Sequence, residues 1–233
     1  MATVILVRHG RSTANTSGVL AGRAPGVDLD DVGRAQAEEV ARRIADAHPV
    51  AIAVSPLDRC LQTAAPIADA TGLDLTVDEA LQEVGYGAWQ GRAIKELLEE
   101  PLWRTVQATP SAATFPDGEC LGDMAERIAA ALRAHDARIE AAHGAGAVWV
   151  AVSHGDPIKA ALADALGLPF DHFQRIHVDP GSVSIVRYGS VRPTVLAMNT
   201  HAGELGWLRA PVERPDDAEV GGGAGPAARG AGS

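Results

Sequence analysis

Lysine is nearly missing from this chain: of 20 basic residues only Lys95 and Lys159 are lysine, and 30 acidic residues leave a formal charge of −10. So acidic a protein is a poor partner for a polyanion, which excludes nucleic-acid binding driven by charge. The other basic residues are arginines, whose planar fork matches phosphate or carboxylate. In a net-acidic protein they hold an anion only where they gather into a locally positive pocket. Cysteine is equally scarce. Cys60 and Cys120 stand far apart without paired spacing, which excludes a disulfide scaffold and a cysteine-rich metal site and predicts two free thiols. No apolar run approaches the ~20 residues that cross a bilayer. The opening Met1-Ala2-Thr3-Val4 lacks the basic and apolar regions of a secretory signal. The expectation is a cytoplasmic protein with no membrane partner.

What is present suits one globular core. Hydrophobic residues make up 46% of the 233 and charged residues 21%, close to the soluble average. Residues 1–210 read as a single domain. Residues 211–233, rich in glycine and proline and without apolar periodicity, read as a disordered, dispensable tail.

Thr3-Val4-Ile5-Leu6-Val7 is an unbroken apolar run ending abruptly in Arg8-His9-Gly10, as a strand buried on both faces does. Apolar residues recur at helical spacing from Asp31 to about Ala47, ahead of a second strand run, Val50 to Val54. Ser55-Pro56-Leu57-Asp58 then supplies a serine cap, a proline at the first helical position and an acid three residues after the cap, predicting a helix to about Ala70. Ala147 to Val152 is another buried run, ending in Ser153-His154-Gly155, and Asp156-Pro157 repeats the cap-plus-proline start. Leu121 to His143 reads as a long alanine-rich helix, and Ser182 to Tyr188 as a strand pairing with Pro193 to Met198. Strands alternating with helices predict an α/β three-layer sandwich: a mainly parallel sheet with helices on both faces.

In such sheets ligands bind at the carboxyl ends of the strands, where helix N-termini add donors for an anion. The first strand delivers Arg8, His9 and Arg11 to that edge, the second delivers Ser55 and the first-turn Arg59, and the later strand delivers Ser153 and His154. Arginines beside two imidazoles, with no carboxylate cluster to hold a metal, suit phosphoryl transfer through a neutral histidine nitrogen. The chain has no Walker A pattern and no His-Glu-x-x-His helix, so triphosphatase and zinc-hydrolase chemistry lose their usual signatures. No metal or cofactor is expected.

Leu6-Val7-Arg8-His9-Gly10 with Ser12 and Asn15 opens a series of five motifs. Gly33 with Gln36-Ala37 follows, then Ser55-Pro56-Leu57 with Arg59 and Gln62-Thr63-Ala64. Leu81 with Glu83, Gly87, Trp89 and Gly91 comes next, and Ser153-His154-Gly155 closes it. Together they resemble the histidine phosphatase superfamily, in its phosphoglycerate mutase-like branch, over about residues 3 to 200. The resemblance implies a phosphoglycerate mutase-like fold and a small phosphorylated substrate. It implies His9 as the nucleophile, with Arg8, Arg59 and His154 around the phosphoryl oxygens and Asn15 adding a hydrogen bond. Glu83 is implied as proton donor to the leaving alcohol and then as base toward water. Gly155 and Arg11 join the expected substrate contacts, although many relatives carry Glu or Gln where this chain has Arg11.

The activity expected is a two-step phosphomonoester hydrolysis through phosphohistidine. One alternative is a phosphoglycerate mutase-type phosphomutase. Glycolytic mutases carry a tryptophan where this chain has Ala14, and a paired arginine in the cover that this chain lacks. A second alternative is a non-catalytic phosphate-binding or regulatory protein, disfavoured because the nucleophile, both arginines and the second histidine are all present. An insertion over about residues 85–120, carrying Arg92, Lys95, Trp103 and Arg104, is expected to cover the strand ends and select the substrate. Tyr86 and Trp89 read as packing residues, and Ser153 as support for its loop. His48, His135, His143, His172 and His201 lack metal-like spacing and read as surface or packing residues; His177 is left open. The sequence does not fix the oligomeric state; acidic α/β domains of this size are often dimers, which leaves a homodimer open.

Overall fold

The computed structural model describes residues 2–201. The expected disordered tail, residues 211–233, lies outside them. Strand β1 (Thr3–Arg8) is buried at every position, because it runs through the middle of a six-stranded sheet. Helices α1 (Thr13–Ser17) and α2 (Asp31–Ala45) follow, then β2 (Ile52–Val54), α3 (Asp58–Thr71) and β3 (Leu75–Val77). Short helices α4 (Ile94–Leu97) and α5 (Pro101–Ala108) lead into the long α6 (Leu121–His143). The chain closes with β4 (Val148–Ser153), α7 (Gly155–Leu166), β5 (Val183–Arg187) and β6 (Thr194–Thr200).

The strand order is β3-β2-β4-β1-β5-β6. The first four are mutually parallel, whereas β5 runs antiparallel to β1 and β6 antiparallel to β5. The sheet is therefore mainly parallel, as its βαβ alternation requires. One face packs Ile5, Val7, Val54 and Val152 against Val40 and Ile44 of α2 and Ile67 of α3. The other packs Val4, Leu6, Trp149 and Ala151 against Met124, Ile128 and Leu132 of α6 and Leu162 of α7. The period-2 alternation along β1 thus feeds two separate cores.

Two helix starts differ from the sequence expectation. Ser55 does not cap α3. The chain runs on until Leu57, which is the N-cap and makes no side-chain capping bond. Likewise α7 begins at Gly155 with His154 as N-cap, which puts Asp156 inside the first turn. Both displacements free a polar side chain that a capping bond would have consumed.

Candidate active site

The register of the parallel β1–β4 pair sets Arg8 opposite Ser153, so the next residues, His9 and His154, leave the sheet side by side. Their rings lie edge to face with centroids 5.2 Å apart. The backbone N–H of His9 donates to the Ser153 carbonyl at 3.0 Å and that of Ser55 to the Val152 carbonyl at 3.0 Å, so β1, β4 and β2 present His9, His154 and Ser55 in one row.

His9 is buried, and its Nδ1 sits 2.7 Å from the Gly10 carbonyl. A carbonyl only accepts, so Nδ1 carries the proton and Nε2 carries the lone pair. Arg59 agrees with that tautomer, donating from Nε to His9 Nε2 at 3.2 Å. Burial, then the charges of Arg59 and Arg8, drive the His9 pKa well below its ordinary value, against the Gly10 hydrogen bond. His154 is driven down by burial and then by Arg59. Both imidazoles are neutral at neutral pH.

The arginines are held by backbone carbonyls. Arg8, wholly buried, donates from Nη1 to the Val178 carbonyl at 2.7 Å. Arg59, on the first turn of α3, donates from Nη2 to the Gly22 carbonyl at 2.7 Å. Its Nη1 is buried without a hydrogen-bond partner among the described residues. An orphaned guanidinium N–H is costly to bury, and an anion would satisfy it. Thr63, one turn further along α3, accepts from the Gly10 N–H at 3.0 Å and donates to the Arg59 carbonyl at 2.6 Å. It ties the His9 loop to the helix that carries Arg59.

Ser55 Oγ and His154 Nε2 are 2.8 Å apart, a bond that the sequence reading, assigning Ser55 to a helix cap, missed. Cys60 Sγ also approaches His154 Nε2, at 3.4 Å. Burial pushes the Cys60 thiol up to about 12, so it stays protonated and is no nucleophile. The Ser153 hydroxyl donates to the Leu81 carbonyl at 2.7 Å and thereby supports the loop that bears Glu83.

Glu83 is buried, with Oε1 accepting from the Val84 N–H at 2.9 Å. Burial, reinforced by the charge of Asp156, pushes its pKa up to about 7. Asp156 accepts from the Tyr86 hydroxyl at 2.7 Å and from Lys159 Nζ at 3.2 Å. Nothing in the sequence marked this buried network, since an Asp before Pro reads as a cap.

Other expected contacts are engaged elsewhere. Arg11 donates from Nε to Asp30, the cap of α2, at 2.6 Å. Asn15 Oδ1 accepts from the Ser12 N–H and hydroxyl, each at 2.9 Å, in a capping box on α1. Gly155 is buried in the first turn of α7. Arg92 pairs with Glu100 at 2.6 Å, Trp103 stacks on Trp89 with centroids 6.2 Å apart, and Lys95 and Arg104 are exposed. Among the described residues no helix is long and apolar enough to cross a membrane.

Residues 4–201 match the family model of the histidine phosphatase superfamily (branch 1), and the chain belongs to that family of enzymes. It is 35% identical over 190 residues to the protein named "Probable phosphoglycerate mutase GpmB" of Yersinia enterocolitica, covering 81% of this chain and 86% of that one. Among solved structures, the mycobacterial glucosyl-3-phosphoglycerate phosphatase with VO3 superposes with a TM-score of 0.76 at 25% identity, covering 85% of this chain and 99% of that one. The phosphoserine phosphatase of Entamoeba histolytica with 3-phosphoglyceric acid superposes with a TM-score of 0.77 at 24% identity, covering 87% of this chain and 98% of that one. This last likeness is one of fold.

Proposed function

We propose that the protein hydrolyses a small phosphomonoester in two displacements at His9. In the first, the Nε2 lone pair attacks phosphorus, the P–N bond forms, the ester P–O bond breaks, and Glu83 delivers its proton to the departing alkoxide. Arg8 and Arg59 neutralise the charge gathering on the equatorial oxygens, and neutral His154 and the backbone N–H of Gly155, at the positive end of α7, add hydrogen bonds to them. In the second, Glu83 takes a proton from water, the resulting hydroxide attacks phosphorus, the P–N bond breaks, and inorganic phosphate leaves with Nε2 restored.

One observation carries this reading. The Gly10 carbonyl holds His9 with its proton on Nδ1, while the Arg59 side chain that meets Nε2 keeps a buried N–H, on Nη1, without a partner among the described residues. A lone pair and an anion donor therefore meet in one dry place. A carboxyl pushed up to about 7 beside them can be both acid and base near neutrality.

We read residues 85–120 as an insertion that covers this site, within a catalytic domain of about residues 1–210. The two free thiols suit a reducing, cytoplasmic compartment. The glucosyl-3-phosphoglycerate phosphatase and the phosphoglycerate mutase relative both carry phosphoglycerate in their names, so phosphoglycerate esters are the first substrates to offer. Mutase activity is the second reading, favoured by the Yersinia relative.

The test is phosphate release from para-nitrophenyl phosphate and a panel of metabolite monoesters, with and without chelator, alongside 3-phosphoglycerate primed with a bisphosphoglycerate. Hydrolysis lost in His9→Ala, with an acid-labile, alkali-stable phosphoryl adduct on His9 in rapid-quench samples, is the expected result. An adduct on another residue, or full activity in His9→Ala, overturns the proposal. Primed isomerisation outpacing hydrolysis makes the protein a mutase.

A further inference from the structure

The loop that carries Glu83 is held by three charged side chains from distant parts of the sequence. Arg127, on α6, donates from Nη1 to the Ala80 carbonyl at 2.7 Å and to the Gln82 carbonyl at 3.1 Å. Arg23 donates from Nε to the Glu83 carbonyl at 2.8 Å. The carbonyls flanking the carboxyl-bearing residue are thus fixed from both sides.

Glu119, in the turn before α6, joins the two arginines. Its Oε1 accepts from Arg127 Nε at 2.9 Å. Its Oε2 accepts from Arg23 Nη2 at 2.7 Å, from Arg127 Nη2 at 3.1 Å and from the Gly85 N–H at 3.1 Å. Its own N–H donates to the Gly85 carbonyl at 2.7 Å. The two loops approach so closely that a Cβ on Gly118 would come within 2.4 Å of the Gly85 carbonyl oxygen. Burial opposes ionisation of Glu119, yet the hydrogen bonds from Arg127 and Gly85 hold its carboxyl below the usual carboxylate range. It is an anion with a fork on each side.

We infer that Glu119 is a positioning residue for proton transfer, locking Arg23 and Arg127 into a clamp that fixes the backbone of Glu83 at the distance the leaving oxygen requires. The inference rests on the proton-donor role of Glu83 proposed above. None of the clamp's hydrogen bonds reaches His9, Arg8, Arg59 or His154, so its loss is expected to weigh most where the alcohol must be protonated. Proton transfer depends steeply on donor geometry. Attack on phosphorus does not depend on Glu83 when the leaving group departs as a stable anion.

The experiment compares kcat/KM, which stops at the first irreversible chemical step, for 2,4-dinitrophenyl phosphate and for a simple alkyl phosphate. Glu119→Gln keeps the shape and removes the charge, and Arg23→Gln is a second, half-exposed site should the first variant fold poorly. For either variant the expected result is an alkyl-ester kcat/KM lowered by about 10- to 100-fold, within the range a positioned acid supplies, and a dinitrophenyl value changed by less than about threefold. Equal losses on both esters would mean a structural role and overturn the inference, as would no loss on either. Glu83→Gln serves as the reference. If it too loses both esters equally, the proton-donor reading fails and the clamp has no donor to position. If it alone is selective, that reading stands and only the clamp falls.

Discussion

The Nε of Arg59 donates to Nε2 of His9 across 3.2 Å, so the guanidinium proposed to hold the phosphoryl oxygens rests on the atom proposed to attack phosphorus. An anion at that atom would compete with Nε2 for the Arg59 donors. Arg59→Ala therefore removes the proposed transition-state donors. A fall in kcat of about 10²–10³ is expected from losing one such group, with Arg59→Lys little better because an ammonium lacks the fork. Steady-state kinetics on para-nitrophenyl phosphate check it, and near-normal turnover in Arg59→Ala would sink the role.

The proposed acid and nucleophile should set opposite limbs of the pH profile. His9 is neutral, and able to attack, until the pH falls well below its ordinary value. Glu83 is protonated, and able to donate, only below about 7. The kcat/KM for an alkyl ester should therefore fall about tenfold per unit above that point, while that for the dinitrophenyl ester stays flat. Glu83→Gln should erase the alkaline limb altogether.

The same carboxyl costs stability. Its folded pKa stands above its unfolded one, so the folded state holds a proton that the unfolded state gives up, and stability falls as pH rises from about 4.5 toward about 7. Glu83→Gln should then be more stable than the parent at pH 8, by on the order of 3 kcal/mol at 1.36 kcal/mol per unit. The difference should vanish at pH 4. Thermal melts at the two pH values decide it.

Asp156 raises the Glu83 pKa by its charge and is itself locked to Tyr86 and Lys159. Asp156→Asn should move the alkaline limb to lower pH, because it removes that repulsion. Breaking a buried pair also costs about 3–5 kcal/mol, readable in a urea melt. An unshifted limb would show that burial alone sets the acid.

Close backbone contact fixes the nucleophile loop against α2. A Cβ at Gly33 would lie 2.0 Å from the Arg11 carbonyl oxygen, and one at Gly10 would lie 2.4 Å from the Gly33 carbonyl oxygen. Backbone cannot step aside as a flexible side chain can, so Gly33→Ala should cost about 1–3 kcal/mol and lower kcat with it. Denaturant titration alongside kinetics tests both.

The sequence made some of this plain and hid the rest, for physical reasons. A strand buried on both faces has to be continuously apolar, so β1 and the Arg8-His9-Gly10 that ends it stand out. The start of α3 misleads, because Ser55-Pro56 fits a cap-plus-proline pattern although the chain turns on to Leu57 before the helix begins. Only the fold assigns the Ser55 hydroxyl to His154. Strand β3 is three residues long and mostly exposed, which leaves no periodicity to detect. The Arg23–Glu119–Arg127 clamp joins positions 96 and 8 residues apart, and charges in turns otherwise read as solvated surface.

The pairing of β1 with β4 has an evolutionary corollary. A hydrogen-bonded ladder spaces neighbouring strands at about 4.8 Å, so the sheet sets the spacing of the backbones that lead into His9 and His154, and the contacts of Gly10 and Ser55 orient the two rings. Segments around the rim can then change in length without altering that spacing. On the proposed mechanism, the alcohol accepted and the phosphorus chemistry would thus be set by different parts of the chain.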